Sequence, residues 1–225
     1  LFYSLAAFSD VKRVALLEKY EGVATLNSHG TCNSQTVHCG DIETNYTFEK
    51  AKRVCKVAKM PVNYALKQGF AGKFMFAHQK MALGVGEAEA AKIRARFEKF
   101  REIYPYLELY EKGDLKNIEP CVVLDERGGE RPEEIAAMGV RDGQYTTMDF
   151  GALANSMVKN AAQIGGEGYE TSLNCRVLDI KKVGDTFYLK TSDKQSISAD
   201  YVAVDAGAHS LFLAQKMGYG LHLST

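Results

Sequence analysis

One long stretch of the chain, Asn27 to Thr47 (NSHGTCNSQTVHCGDIETNYT), limits what the rest can fold into. Nothing in it recurs at a helical or a strand interval. It is crowded with small and hydrogen-bonding side chains. Apart from two cysteines, only Val37, Ile42 and Tyr46 interrupt it with larger hydrophobic groups. Such a segment cannot bury itself against an apolar core without leaving donors and acceptors unpaired. Two readings remain open. It is an ordinary surface loop, or it lies along a large polar ligand, as long irregular segments of compact domains often do.

The 225-residue chain is long enough to bury a core around such a segment. Its formal net charge is zero, and no basic run suggests nucleic acid. No apolar run reaches membrane-spanning length, so any membrane contact would be peripheral. Five scattered cysteines, an odd number, fit free thiols in a reducing, cytoplasmic compartment. Cys32, His38 and Cys39 are close in sequence but match no zinc spacing, so no metal site is assigned. The chain begins at Leu1 without an initiator Met, in what reads as the second half of a helix. It therefore looks like part of something longer.

Leu1 to Phe8 is helix-compatible. Arg13 to Leu17 (RVALL) has the short apolar run of a parallel strand buried on both faces, and Glu18 follows at its carboxyl end. Helix, turn, strand and acid match the later part of a dinucleotide-binding unit, in which the acid accepts bonds from a ribose. A solvated acid at a strand end is the plainer alternative. Phe48 to Gln68 is expected as a helix that Pro61 kinks or divides, with Ala51, Val54, Cys55, Val57, Ala58 and Ala65 facing the core. Lys73 to Val85 predicts one or two strands. Glu87 to Ile103 predicts a helix using Ala88, Ala91, Ile93, Ala95, Phe97 and Phe100. A turn and short helix are expected to Glu119, a loop over Pro120 to Pro132, and a strand or a strand and turn at Ile135 to Val140. Thr147-Met148-Asp149 would cap a helix reaching about Ile164. Strands are expected at Tyr169 to Lys181, Thr186 to Thr191 and, buried, Tyr201 to Val204. A helix over Leu211 to Met217 closes the pattern. The divisions are 1–68 and 143–225 as two nucleotide-binding portions, with 69–142 a mixed insert. Of the five histidines, His38 is the candidate site residue, because it lies inside the polar stretch.

The order of RVALL with Glu18-Lys19, CNSQTVHCGDIETNYT, MDFGAL, CRVLDI and DYVAVDAGAHS resembles the FAD-dependent oxidoreductases of the D-amino-acid-oxidase type. Within them it is most similar to the malate:quinone oxidoreductases, and Glu43-Thr44-Asn45-Tyr46-Thr47 is the most specific element. The resemblance implies an α/β fold: a Rossmann-like FAD-binding domain with an inserted mixed α+β portion of the substrate domain. It implies that Glu18 binds the adenosine ribose of FAD. Asn33, Ser34, Gln35 and Thr36 would run past the pyrophosphate and ribityl chain, and His38 would approach the isoalloxazine ring. The backbone of Val177 would meet the adenine, and Ala206 and Gly207 would form a close-approach turn. The implied activity is oxidation of (S)-malate, a small 2-hydroxy acid, to oxaloacetate. A membrane quinone would be the acceptor, met by peripheral contact on the inner face of the cytoplasmic membrane. A sister dehydrogenase of another 2-hydroxy acid or an amino acid, or an inactive fragment, is the alternative. The family's glycine-rich loop would fall upstream of Leu1, since no glycine precedes Gly22. Its carboxyl-terminal half would follow Thr225, so no catalytic base is assigned.

Overall fold

The computed structural model describes residues 1–140, 142–220 and 222–223. They form two compact units, Leu1–His29 with Ala154–Thr225, and Gly30–Leu153. These boundaries differ from the expected insert at 69–142. The polar stretch and the helix after it pack with the insert. The cause is a set of side chains, among them Lys80, Arg96, Tyr104 and Tyr106, that reach back to residues between Val37 and Ala51.

In chain order, α1 (Phe2–Phe8) and β1 (Val14–Leu17) open the first unit. The second contains α2 (Phe48–Lys67), β2 (Met75–Phe76), β3 (Lys80–Val85), α3 (Glu87–Phe100), β4 (Glu108–Glu111), α4 (Lys112–Ile118), α5 (Pro120–Val123), β5 (Ile135–Val140) and β6 (Thr147–Met148). Helix α6 (Phe150–Gly165) starts there and continues in the first unit. β7 (Tyr169–Ser172), β8 (Val177–Val183), β9 (Thr186–Thr191), β10 (Ser196–Ala199) and α7 (His209–Lys216) complete the chain.

The second unit is built around β5, the middle strand of an antiparallel sheet ordered β3-β5-β4. All six of its residues are buried. Strand alternation sends Ala136, Met138 and Val140 into one cluster, with Ala90, Ile93 and Phe100 of α3. Ile135 and Ala137 go into the other, with Tyr110, Leu115 and Val123. Each large side chain so buried contributes on the order of 2 kcal/mol. Helix α3 meets the sheet through Ala90, Ile93, Phe97 and Phe100, one helical face. The expected Ala88, Ala91 and Ala95 are exposed, because they project from the other side.

Helix α2 is capped by Thr47, whose Oγ1 accepts from the Lys50 N–H at 3.2 Å. It runs through Pro61 undivided. The carbonyl that loses its donor there belongs to Val57, an exposed position where water can replace it. Val57 also leaves the expected apolar face, while Ala51, Tyr64 and Ala65 are buried. Strand β4 and helix α5 replace the turn and loop expected in those places.

In the first unit, β1 pairs in parallel with β7, Val14 opposite Tyr169. Phe2, Ala161 and Tyr169 form its core, with Leu5, Val14, Leu16 and Val158 against them. Strand β1 is half-buried, with Ala15 exposed, rather than buried on both faces. The expected strand Tyr169 to Lys181 is two strands in different sheets. β7 joins β1, whereas β8 joins an antiparallel meander ordered β10-β9-β8. Between them Asn174 takes φ 54°, which an extended strand cannot accommodate. The buried strand expected at Tyr201 to Val204 is absent. Among the described residues nothing pairs with it, and Tyr201 is 91% exposed. No helix among the described residues is long and apolar enough to cross a membrane.

A Cβ at Gly139 of β5 would strike the Lys80 carbonyl and the Met81 side chain on the neighbouring strand. Gly139→Ala is therefore expected to destabilise the protein by about 1–3 kcal/mol, seen as a lower midpoint in urea unfolding.

Candidate active site

The polar stretch is irregular, as its sequence implies, but it is held tightly. Residues 35–37 lie along β6. The Met148 N–H donates to the Gln35 carbonyl at 2.9 Å, and the Val37 N–H donates to the Thr146 carbonyl at 2.8 Å. Thr36 and Thr147 form an antiparallel bridge. Gln35 takes φ 55°, uncommon for a residue with a Cβ. Its backbone N–H and its Nε2 both donate to Asn33 Oδ1 at 2.7 Å, which helps hold that conformation. Gln35 Oε1 accepts from the Phe150 N–H at the start of α6, and Asp149 Oδ1 accepts from the Ala152 N–H. The Gln35 amide thus caps a helix.

Past His38 the anchoring comes from buried charge. Asp41 is 1% exposed. It accepts from Lys80 Nζ at 2.7 Å, Tyr106 Oη at 3.0 Å and the Ile42 N–H at 3.0 Å. Lys80 also reaches the Val37 carbonyl at 3.4 Å. Tyr104 Oη lies 2.8 Å from the carbonyls of both Cys39 and Ala51, between which its one proton is shared. A Cβ at Gly40 would stand 2.7 Å from that oxygen, and Gly40 has φ 86°, so a glycine is required there. Burial, reinforced by the negative charge of Asp41, pushes both phenols above their ordinary range. Burial, with Asp41 adding to it, pushes the Cys39 thiol up to about 11.

Arg96, on α3, holds the next turn of chain. It donates to the carbonyls of Glu43 at 2.5 Å and Tyr46 at 3.0 Å, and lies 3.8 Å over the Phe100 ring. Burial lowers its pKa, opposed by the charge of Glu43. Lys80, Arg96, Tyr104 and Tyr106 lie outside the polar stretch and are not among the residues its sequence singles out. Arg96 falls on the helical face that carries Phe97 and Phe100, and Lys80 opens an otherwise apolar strand. Those placements were the available signals.

His38 stands between these anchors, with its side chain 62% exposed. Its Nδ1 is 2.8 Å from Glu43 Oε1. With Asn33, Ser34, Thr36, Val37, Ala58, Pro61 and Phe150 it lines an open concavity of about 360 Å³. Four of the expected site residues, Asn33, Ser34, Thr36 and His38, are thus brought together, and Gln35 is beside them but bonded to protein.

The other candidates belong to the first unit. Glu18 follows β1, its N–H donates to the Ser172 carbonyl, and its Oε1 accepts from the Tyr20 N–H at 3.0 Å. Val177 begins β8, at a register shift between Val177 and Asp179. Ala206 and Gly207 form an exposed turn. The Ala206 N–H donates to Ser210 Oγ at 2.9 Å, and Gly207 takes φ 56°.

Residues 3–221 match the family described as malate:quinone oxidoreductase (Mqo). The chain is 49% identical over 226 residues to a probable malate:quinone oxidoreductase of Campylobacter jejuni, covering 100% of this chain and 50% of that protein. It is 41% identical over 222 residues to the malate:quinone oxidoreductase of Helicobacter pylori, covering 99% and 49%. It spans about half the length of the curated relatives it matches. Among solved structures it resembles glycine oxidase from Geobacillus kaustophilus, with TM-score 0.69 and 18% identity over 99% of this chain and 55% of that one. It also resembles L-α-glycerophosphate oxidase from Mycoplasma pneumoniae with FAD bound, with TM-score 0.62 and 17% identity over 96% and 53%. The likeness to these oxidases bears out the expected α/β fold.

Two measurements check the anchoring. Lys80→Met leaves the Asp41 carboxylate buried without its cation and is expected to cost about 3–5 kcal/mol in urea unfolding. At pH 8 the Cys39 thiol, raised to about 11, stays protonated, so iodoacetamide should modify it far more slowly than exposed Cys32. That gap should close only as the pH approaches the raised value.

Proposed function

We propose, from the premise that this chain belongs to the malate:quinone oxidoreductase family, that it serves FAD-dependent oxidation of (S)-malate to oxaloacetate with a quinone as acceptor, as part of the full-length enzyme. The observation that carries the reading is the family match over residues 3–221.

The residues present fit the cofactor. Glu18 is half-buried at a strand end and has one oxygen engaged by the Tyr20 N–H, which leaves carboxylate capacity for ribose hydroxyls. The Ala206-Gly207 turn offers backbone with almost no side chain, suited to close approach by a cofactor. Val177, at the irregular start of β8, is the candidate for backbone contact with adenine. In the second unit, apolar Val37, Ala58, Pro61 and Phe150 and polar Asn33, Ser34, Thr36 and His38 line the same concavity. That mixture suits a planar heteroaromatic ring with polar edges. Gln35 supports it by fixing Asn33 and the start of α6.

When bound, FAD supplies the two-electron acceptor that lets the C2 hydrogen of malate leave with its electron pair while the hydroxyl gives up a proton. The chain's own part is to hold polar groups at fixed positions, so that little reorganisation accompanies charge movement. Passing electrons to a lipid-soluble quinone requires access to a membrane, and the proposed contact is peripheral, on the inner face of the cytoplasmic membrane.

The purified full-length protein should be yellow and should reduce a quinone analogue with malate. Turnover of another 2-hydroxy acid or an amino acid with none on malate would overturn the substrate. Glu18→Ala is expected to lower bound flavin at least tenfold, read from visible absorbance per protein, and an unchanged flavin content would remove Glu18 from the site.

A further inference from the structure

The carboxylate of Glu43 is nearly enclosed, its side chain 12% exposed, yet it makes one hydrogen bond among the described residues. Oε1 meets His38 Nδ1 at 2.8 Å, and Oε2 is buried with no hydrogen-bond partner. The nearby charge of Arg96 offsets part of the cost of burying this carboxylate, but one of its two oxygens still lacks a hydrogen bond. Holding the loop is not the carboxylate's use. Arg96 grips the Glu43 carbonyl itself, Asp41 is fixed by Lys80 and Tyr106, and Tyr104 reaches the Cys39 carbonyl. On the other flank, Val37 is bonded to Thr146. The backbone around His38 is secured on both sides without the Glu43 side chain.

We infer that Glu43 is a positioning residue whose carboxylate holds a proton on His38 Nδ1 and keeps Nε2 bare, as the acceptor for an O–H or N–H group of the ligand in the concavity. A carboxylate only accepts, so the ring nitrogen facing it carries the hydrogen. In a neutral imidazole the other nitrogen is then an acceptor, and the partner of one nitrogen sets the chemistry of the other. His38 lines the same concavity as Asn33, Ser34 and Thr36, and with Nδ1 taken by Glu43 the ring nitrogen left for an occupant is Nε2. The donor is either the 2-hydroxyl of the substrate or an N–H of the cofactor ring. The inference rests on the proposed function only for the identity of that occupant.

The experiment uses full-length protein labelled with ¹⁵N-histidine, the His38 signals being assigned by their loss in His38→Asn. The expected wild-type spectrum has His38 protonated at Nδ1, and Glu43→Gln moves the population toward the Nε2-protonated form. Turnover with malate and a quinone analogue should fall about 10–100-fold in Glu43→Gln at unchanged KM. The double variant should be no slower than His38→Asn alone. An unchanged flavin spectrum in Glu43→Gln assigns the donor to the substrate hydroxyl, and a shifted one assigns it to the cofactor. His38 protonated at Nε2 in the wild type, or losses that multiply in the double variant, would overturn the inference. Should Glu43→Gln fail to fold, the wild-type spectrum still decides. A wild type without malate turnover sinks the proposed function and leaves the histidine measurement intact.

Discussion

The ion pair between Asp41 and Lys80 holds the second unit to its purpose. Both groups are almost without solvent, at 1% and 9% side-chain exposure and 2.7 Å apart. A lone charge so placed would cost several kcal/mol, and the pair is tolerable only because Tyr106 and the Ile42 N–H fill the remaining acceptor positions of Asp41. These partners come from the polar stretch, from β3 and from the chain before β4. None of them can be satisfied unless all three segments meet. A segment unable to pack by hydrophobicity is therefore folded by its own polar groups.

This changes what irregular means for residues 27–47. Their backbone follows no repeating pattern, yet Gln35, Val37, Cys39, Glu43 and Tyr46 each bond to a distant side chain or strand. His38 is nearly the reverse case. Its flanks are fixed, its ring is mostly exposed, and its one hydrogen-bond partner among the described residues is a carboxylate. A side chain presented from rigid backbone loses little entropy on meeting a ligand, which is what a binding or catalytic group requires. The scaffold underneath is β5, sealed on both faces, with small residues at 136, 137 and 139 that let neighbouring strands and α3 approach closely.

Much of the architecture was legible because it follows from local pattern. The helix after Thr47, the strand at Ile135–Val140 and the helix start capped from within Thr147 to Asp149 all appear where periodicity and capping chemistry put them. Failures came where a local pattern had no partner in space. Tyr201 to Val204 reads as a buried strand, but burial requires a neighbour, and among the described residues none pairs with it. Pro61 reads as a kink or a division of its helix, and α2 runs on undivided because the bond it deletes is on an exposed side where water replaces it.

The sequence by itself determined the family, the fold class and the stretch on which the site is built, since these depend on residue order and on side chains too polar for a core. Tertiary structure alone decided which groups inside that stretch are free to act. Gln35 is consumed as a helix cap and Asp41 as a buried counter-ion, while Glu43 is left with His38 as its hydrogen-bond partner. The reason is that a polar side chain's role depends on what its neighbours have already satisfied. Those neighbours, Lys80, Arg96, Tyr104 and Tyr106, lie 39 to 65 residues away along the chain.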